Sequence, residues 1–484
     1  MLKKRLVLLA IFLLNITLVA EDQEKIDVLK QQIKMLKQDF QNKLDILQKR
    51  INELESQKSV KIEEKTDTKK IETLEKRVKE LETSTLKKEN KKDGLPLDVF
   101  WKNGLKIKDK DNLFNITIGG RTYIDFGFIH EDKAIHNNLG NMEDYGEFRT
   151  ARLKLGGTIY KNFIFSLEFD FANPDIAFKD VYVGMKNLPF NGTLKIGHFK
   201  EPISLQTLIS PNYITFMEPA SVSVFAPSRN LGVAYFGYDN SKHITYAFGL
   251  FRETGDTPPE IFDDSGSYAF TCRITGLPFY QDNGSKLFHL GAAYSFRNPP
   301  SDKLSFSSRA ETHADPKFVN TGSMEDVENE HRLGVEGATV FGPFSIQSEL
   351  IYSWSRFEGG VNPSLQHFWG YYVSASFFIT GEHRNYKRTG GVFSRVKINK
   401  YFLEDGNGIG AIELTARYSK LNLNDNYRGG RIDNITIGVN WYINPNMRVM
   451  INYIYSDLNG NSSLSNEYDK VDAHILMTRF QINI

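Results

Sequence analysis

Glu147-Phe148-Arg149-Thr150-Ala151-Arg152-Leu153-Lys154-Leu155-Gly156-Gly157 sorts its side chains onto two faces. Ala151, Leu153 and Leu155 share one face of a strand, and Thr150, Arg152 and Lys154 share the other. From Phe163 to Phe171 the alternation returns, with Phe163, Phe165, Leu167, Phe169 and Phe171 opposite Ser166, Glu168 and Asp170. Val181, Val183 and Met185 then alternate with Asp180 and Tyr182, and Leu194 and Ile196 with Lys195 and Gly197. A fully apolar face opposite a charged one means that each strand meets two different solvents. A soluble sandwich would press the apolar face on a second sheet. A membrane barrel turns it to lipid and the charged face to a wet lumen. Segments of roughly ten residues with aromatics near their ends favour the barrel.

Outward from this stretch the chain divides. Met1-Leu2-Lys3-Lys4-Arg5, the apolar run Leu6–Leu14 and the small residue Ala20 before Glu21 read as a secretory signal peptide over residues 1–20. The other reading, a membrane anchor, meets a core too short for a span and interrupted by Asn15. Residues 21–86 predict an α-helical coiled coil in the periplasm. Ile26, Leu29, Ile33, Leu36 and Phe40 step by three and four, and Leu44, Leu47, Ile51 and Leu54 resume after a stutter. Ile71, Leu74, Val78 and Leu81 give a second short coil after a charged break. A solvated single helix or spacer is the alternative, and the a and d residues nominally favour two strands. Residues 87–112 form a linker and residues 113–484 the barrel.

The barrel opens with Ile116, Ile118, Thr122, Ile124, Phe126 and Phe128 facing lipid, and ends with Leu476, Thr478, Phe480, Ile482 and Ile484 in the same register. Both ends lie in the periplasm, so the strand number is even, with short turns inside and longer loops outside. Gly342-Pro343 and Asn444-Pro445-Asn446 are tight enough to be periplasmic turns. Counting outward from them leaves Lys303–His313 and Gly391–Asn399 as non-spanning and gives about sixteen antiparallel strands, a number within the porin range. They start near Leu113, Tyr145, Phe163, Ile176, Thr193, Asn230, Ile244, Ser267, Leu287, His331, Phe344, Gln366, Ala411, Ile432, Met447 and Asp472. This scheme makes Glu382–Gly410 an unusually long periplasmic connection, and eighteen strands is the fallback. Glu201–Ser228 is too long for a turn, and its Ile203, Leu205, Tyr213, Ile214, Phe216, Met217 and Phe225 need cover. The expected solution is a loop folded into the lumen; a cap on the outer rim is the other.

Several functions find no support in the residues. The single cysteine, Cys272, alternates with the outward set Phe270 and Ile274, so it reads as lipid-facing or structural rather than nucleophilic. No metal motif, phosphate loop or nucleophile elbow occurs, so no enzyme, metal site or cofactor is expected. No coherent basic face suggests nucleic acid.

The motifs resemble a known family. Glu147–Leu153, Phe169–Asn173, Lys179–Gly184, Gly197–Pro202, Tyr213–Glu218, Ala226–Gly232, Phe378–Glu382 and Gly438–Pro445 are similar to the phosphate-selective porin O and P family, over roughly Leu113–Ile484. The resemblance implies a sixteen-stranded, homotrimeric outer-membrane barrel with an inward third loop, and an anion path lined by arginine and lysine. A periplasmic coil ahead of the barrel also occurs among relatives. The pore-lining or constriction candidates are Arg121, Arg152, Lys154, Glu168, Lys195, Glu201, Glu218, Arg229 and Arg273. Composition pulls the other way on selectivity. The chain carries +1 in all; Lys3, Lys4 and Arg5 supply three, and Glu21–Gly94 has 19 basic against 17 acidic residues, so Leu95–Ile484 is left at −4. The leading expectation is therefore a water-filled channel for passive diffusion of small hydrophilic solutes or ions, with an anion or phosphate channel as the alternative. A reading of another class makes the coil a strut that ties the outer membrane to a periplasmic partner.

Overall fold

The computed structural model describes residues 97–255, 267–358, 365–425, 427–461 and 470–484, with ten isolated helical positions between Lys34 and Asn52. The signal peptide and nearly all of the coil lie outside the described residues. The chain divides into two units, Met1–Gly94 and Leu95–Ile484.

Sixteen strands close into an antiparallel barrel. They are β1 (Phe114–Glu131), β2 (Tyr145–Ile159), β3 (Phe163–Asp170), β4 (Ala177–Leu188), β5 (Gly192–Lys200), β6 (Arg229–Tyr238), β7 (Ile244–Arg252) and β8 (Tyr268–Gln281). The wall continues with β9 (Lys286–Arg297), β10 (Val327–Phe341), β11 (Phe344–Phe357), β12 (Leu365–Phe378), β13 (Ala411–Asp425), β14 (Tyr427–Asn444), β15 (Met447–Asn461) and β16 (Lys470–Asn483). Each strand pairs with the next, and β16 pairs with β1 from Ala473 opposite Glu131 to Asn483 opposite Arg121. The last residue seals the seam: Ile484 N–H donates to Gly120 O (2.8 Å) and Gly120 N–H to Ile484 O (2.9 Å). Closure leaves no open edge among the staves, which a bilayer would not tolerate.

Turns alternate in length as the direction argument requires. Gly342-Pro343 joins β10 to β11 with Gly342 at φ +58°, and Pro445-Asn446 joins β14 to β15. Longer connections occupy the other end, except between β13, which ends at Asp425, and β14, which starts at Tyr427. On the short-turn side the exception is the stretch 379–410, a long connection, as expected. Lys303–His313 falls in the external loop 298–326 rather than in the wall. One expectation needs refinement: the segment taken as a linker holds a hairpin, Leu97–Trp101 with Leu105–Asp109, which adds to the sheet through Leu105–Lys108 opposite Asn115–Ile118.

The distribution of apolar residues is inverted relative to a soluble protein. Phe126, Phe128, Leu153, Val183, Leu250, Ile274, Leu290, Val335, Ile437 and Leu476 point outward and are exposed. The polar face of the same strands is buried, including Asp125, Glu168, Arg297, Glu330, Arg417 and Arg479. An apolar band this continuous around a closed sheet belongs in lipid. Cys272 sits on it between Phe270 and Ile274, half-buried. The buried apolar clusters lie inside the barrel, where loops pack on the wall.

Candidate functional site

The site is built by a loop that lacks strand pairing and must satisfy its backbone elsewhere. Residues 201–228 leave β5, make one helical turn at Leu205–Leu208 capped by Ser204, and cross the lumen. Wall side chains then bind the loop backbone one by one. Glu336 and Glu349 accept from the amides of Leu205 (3.0 Å) and Gln206 (2.7 Å). Gln481 donates to Asn212 O (3.2 Å), Arg448 to Ile214 O (2.9 Å), Asn440 to Thr215 O (2.8 Å) and Arg479 to Met217 O (2.6 Å). Asn452 accepts from Met217 N–H at 2.8 Å. A loop fastened to β10, β11, β14, β15 and β16 lies in the lumen, not on the rim.

Two further segments brace it. From outside, 298–326 folds in. Its Phe306 packs edge-on against Phe225 of the loop, with ring centres 5.0 Å apart. Its buried Glu311 accepts from the Ser221 amide (3.1 Å), pairs with Arg417 and accepts from Thr436 (3.0 Å). From the periplasmic side, 379–410 sends up a lobe in which Tyr386-Lys387 pairs with Val392-Phe393. Tyr386 and Phe393 pack with Leu205, Ile209 and Ile214 of the loop.

Between loop and wall lies a cavity of roughly 290 Å³. Its lining includes six cationic side chains, Arg149, Arg152, Lys179, Lys200, Arg229 and Arg479, against one acidic side chain, Glu218. Several of the cations are tied to carboxylates that are not among the lining residues. Arg152 Nε bonds Asp170 (2.7 Å), Arg229 Nε bonds Asp180 (2.7 Å), and Arg479 bonds Asp125 through two nitrogens (2.7 and 2.6 Å). Lys200 Nζ instead donates to loop carbonyls, at Thr207 and at Ile209 (3.0 Å). Glu218 latches the loop: Arg149 Nε and Nη2 reach its two oxygens at 2.9 and 3.0 Å, and Arg479 reaches it at 2.8 Å. Burial alone would raise the Glu218 carboxyl, but the two guanidinium groups outweigh it and hold the group down at about 2.

The nine sequence candidates divide. Arg152, Glu218 and Arg229 line the cavity. Arg121 stands beside it, paired with Glu168 and donating to Asn212 of the loop at 2.9 Å. Lys154 is half exposed, 3.7 Å from the same Glu168. Lys195 lies over the Tyr182 and Phe236 rings at 4.5 and 4.8 Å. Glu201 and Arg273 do not line the cavity. Glu201 is fully buried, bonded to Arg297 (2.9 and 3.2 Å), Asn230 (2.6 Å) and Thr271 (2.7 Å). Arg273 is bound to Glu336 (3.0 Å) and to Gly391 O of the periplasmic lobe (2.8 Å). Both are anchors for inserted segments.

Four lining cations were not among the candidates, and two have a common cause. Tyr123 stands opposite Thr150 and Ile124 opposite Phe148, so Arg149 is the extra residue of a β-bulge. Leu167 stands opposite Val181 and Phe169 opposite Phe178, so Lys179 and Asp180 together face Glu168. Strict alternation puts Arg149 and Lys179 on the lipid face; each bulge swings one inward.

The chain matches the family model described as phosphate-selective porin O and P over residues 116–484. It belongs to that family. Porin O of Pseudomonas aeruginosa is 23% identical over 438 residues, covering 80% of this chain and 93% of its own. A Caulobacter vibrioides protein is 28% identical over 384 residues, 77% of this chain and 74% of its own. Among solved structures, the anion-selective porin from Comamonas acidovorans aligns at 13% identity over 77% of this chain and all of its own, with a TM-score of 0.48. Family and barrel together make this an outer-membrane channel protein, surrounded by lipid on its apolar band.

Proposed function

We propose that this porin is a diffusion channel that favours small inorganic anions, phosphate among them, over cations. One observation carries the reading: the cavity beside the inward loop is lined by six cationic side chains and one acidic one, although the barrel unit as a whole is net acidic. An ion in a narrow aqueous path responds to the charges that line that path, not to the net charge of the chain. Arg152 and Arg229 line the cavity, whereas their partners Asp170 and Asp180 are not among its lining residues. The family description and the match to Porin O of Pseudomonas aeruginosa support the same reading. The nine candidates then act in two ways: Arg121, Arg152, Lys154, Glu168, Lys195, Glu218 and Arg229 shape the charge of the path, while Glu201 and Arg273 fix the segments that narrow it. The homotrimer, the periplasmic coil at 21–86 and its partner belong to this proposal as well.

The test is a planar-bilayer recording of the mature protein. In a KCl gradient the reversal potential should take the sign of chloride preference, and added phosphate should lower chloride current. A cation-leaning potential without phosphate block would overturn the reading and leave a size-screening channel.

A further inference from the structure

The hairpin ahead of β1, Leu97–Trp101 with Leu105–Asp109, extends the wall where β16 runs out. Ile484 is bonded to Gly120, and Leu105–Lys108 take the next rungs of β1, from Ile118 down to Asn115. Residues directly opposite one another share a face of the sheet. Trp101 stands opposite Leu105 and Leu105 opposite Ile118; Val99, Ile107 and Ile116 line up in the same way. Leu97, Val99 and Trp101 therefore continue the lipid-facing side of β1, and all three are exposed, Trp101 at 57%. Their depth follows from the strand. From Ile118 to Phe128 β1 rises about 33 Å along its axis, or about 25 Å across the membrane at the usual tilt, the full height of an apolar band. Ile118, with Trp101 on its rung, thus stands at the periplasmic border of the lipid, where tryptophan concentrates.

Between this hairpin and the periplasmic segment 379–410 runs an open groove of about 620 Å³, lined by Trp101, Tyr401, Pro445, Met447, Ile482 and Ile484 among others. Tyr401 is set by its neighbour Phe402, whose N–H donates to Ile443 O (2.8 Å) and whose ring packs edge-on against Trp441, with ring centres 5.1 Å apart. Met447, Ile482 and Ile484 are exposed residues at the ends of β15 and β16, so the floor of the groove is the lipid-facing band itself. Lys102 follows Trp101 and Lys400 precedes Tyr401, which puts one cation next to each aromatic wall. We propose that the groove is a phospholipid site in the periplasmic leaflet, with an acyl chain between Trp101 and Tyr401 and the phosphate at Lys102. The occupant is a lipid because the groove continues the band that lipid already covers, and because a phosphate matches the lysines beside it. Leu97–Trp101 is paired on one side only among the described residues. Hydrocarbon would leave the outer backbone groups of that edge unpaired, whereas the headgroup region supplies water and phosphate oxygens to them. The site stands apart from the ion preference of the channel.

Tryptophan fluorescence in vesicles reads the groove, because bromine on an acyl chain quenches a tryptophan that it touches. The chain has four tryptophans, and the Trp101 signal is the part lost in Trp101→Phe. The probe is phosphatidylglycerol brominated along its acyl chains, titrated into vesicles of unlabelled phosphatidylcholine that hold the mature protein. Half-quenching of the Trp101 signal should need about tenfold less bromolipid than that of Trp354 and Trp369, the preference that one charge-assisted contact supplies. Lys102→Gln should bring the two midpoints together, and so should Met447→Phe, which fills the groove. Unchanged heat-modifiable migration on gels would show that both variants fold. Equal midpoints in the wild-type protein would overturn the site and leave Trp101 in ordinary boundary lipid. Quenching by aqueous iodide rather than by bromolipid would put the hairpin in the periplasm, and quenching by neither would mean that another protein segment covers the edge. Each of these also overturns the proposal.

Discussion

The lumen wall beside the inward loop and the mouth beneath it treat arginine in opposite ways. Above, guanidinium groups are matched to carboxylates: Arg297 to Glu201, Arg479 to Asp125 and Glu218, Arg417 to Glu311, Arg332 to Glu330. Below, Arg384, Arg395 and Arg448 make no salt bridge among the described residues. Arg384 leans on the Phe393 ring at 3.8 Å and donates to Gln347 at 3.0 Å, and Arg448 holds a carbonyl and an amide. Matched pairs fix geometry, because either partner alone would be a stranded charge. Unmatched cations hold neutral carbonyls and amides instead, and leave positive field for a solute. The upper wall is thus a scaffold of ion pairs whose surplus charge shows at the cavity, and the lower mouth is held by neutral contacts that leave its positive field unbalanced by salt bridges among the described residues.

The largest expected effect follows from removing one member of a matched pair. Arg297→Met should strand Glu201, which is fully buried and bonded also to Asn230 and Thr271. Loss of a partner from such a pair costs about 3–5 kcal/mol. Thermal unfolding in detergent, followed by loss of the compact gel band, should shift down by several degrees. Below the loop, Arg448→Met should be milder, about 1–3 kcal/mol, because it strands no carboxylate and leaves only the Ile214 carbonyl and the Gln481 amide oxygen without their donor. Equal losses at the two sites would break the comparison. It would then follow that Arg448 is as structural as Arg297.

A smaller effect sharpens the upper half alone. Lys154 is the least committed of the upper cations, its side chain 47% exposed and 3.7 Å from Glu168. Lys154→Glu should leave stability within about 0.5 kcal/mol, as at other exposed positions. It should also move the reversal potential in a KCl gradient toward cations. An unchanged potential would remove Lys154 from the path.

The fold was almost wholly legible in the sequence because period-two alternation survives tertiary packing when each face has its own solvent. Strands expected near Leu113, Tyr145 and Ile244 begin at Phe114, Tyr145 and Ile244. The loop at Glu201–Ser228 declared itself through apolar residues that water would not cover. The cavity was legible in part. Alternation reports which side a residue faces, so it found Arg152, but it cannot tell a path residue from an anchor, so Arg273 entered the same set. Arg229, Glu218 and Glu201 came from their place in or beside the inward loop, which mixes path and anchor in the same way. Nor does alternation survive a bulge, which is why Arg149 and Lys179 were hidden. The lobe of 379–410 was visible as an anomalous length. Its entry into the lumen depends on Tyr386 and Phe393 meeting Leu205 and Ile214, contacts between segments far apart in the chain.

The smallest expected effect is an absence of change, and it tests the latch that shapes the upper cavity. Glu218 holds the loop only while charged, and Arg149 with Arg479 keeps its carboxyl at about 2, below the ordinary 4.5. A carboxyl lowered by folding stabilises the folded loop fully above its unfolded value and loses that contribution as pH falls from 4.5 toward 2. Between pH 7 and pH 5 the latch therefore stays shut, and single-channel conductance in KCl should not rise. Further acidification should loosen the loop and raise conductance, while Glu218→Gln should already show the higher conductance at pH 7. A rise between pH 7 and pH 5 in the wild-type channel, absent in Glu218→Gln, would mean that Arg149 and Arg479 fail to outweigh burial. The matched half of the lumen would then be less firmly pinned than its salt bridges imply.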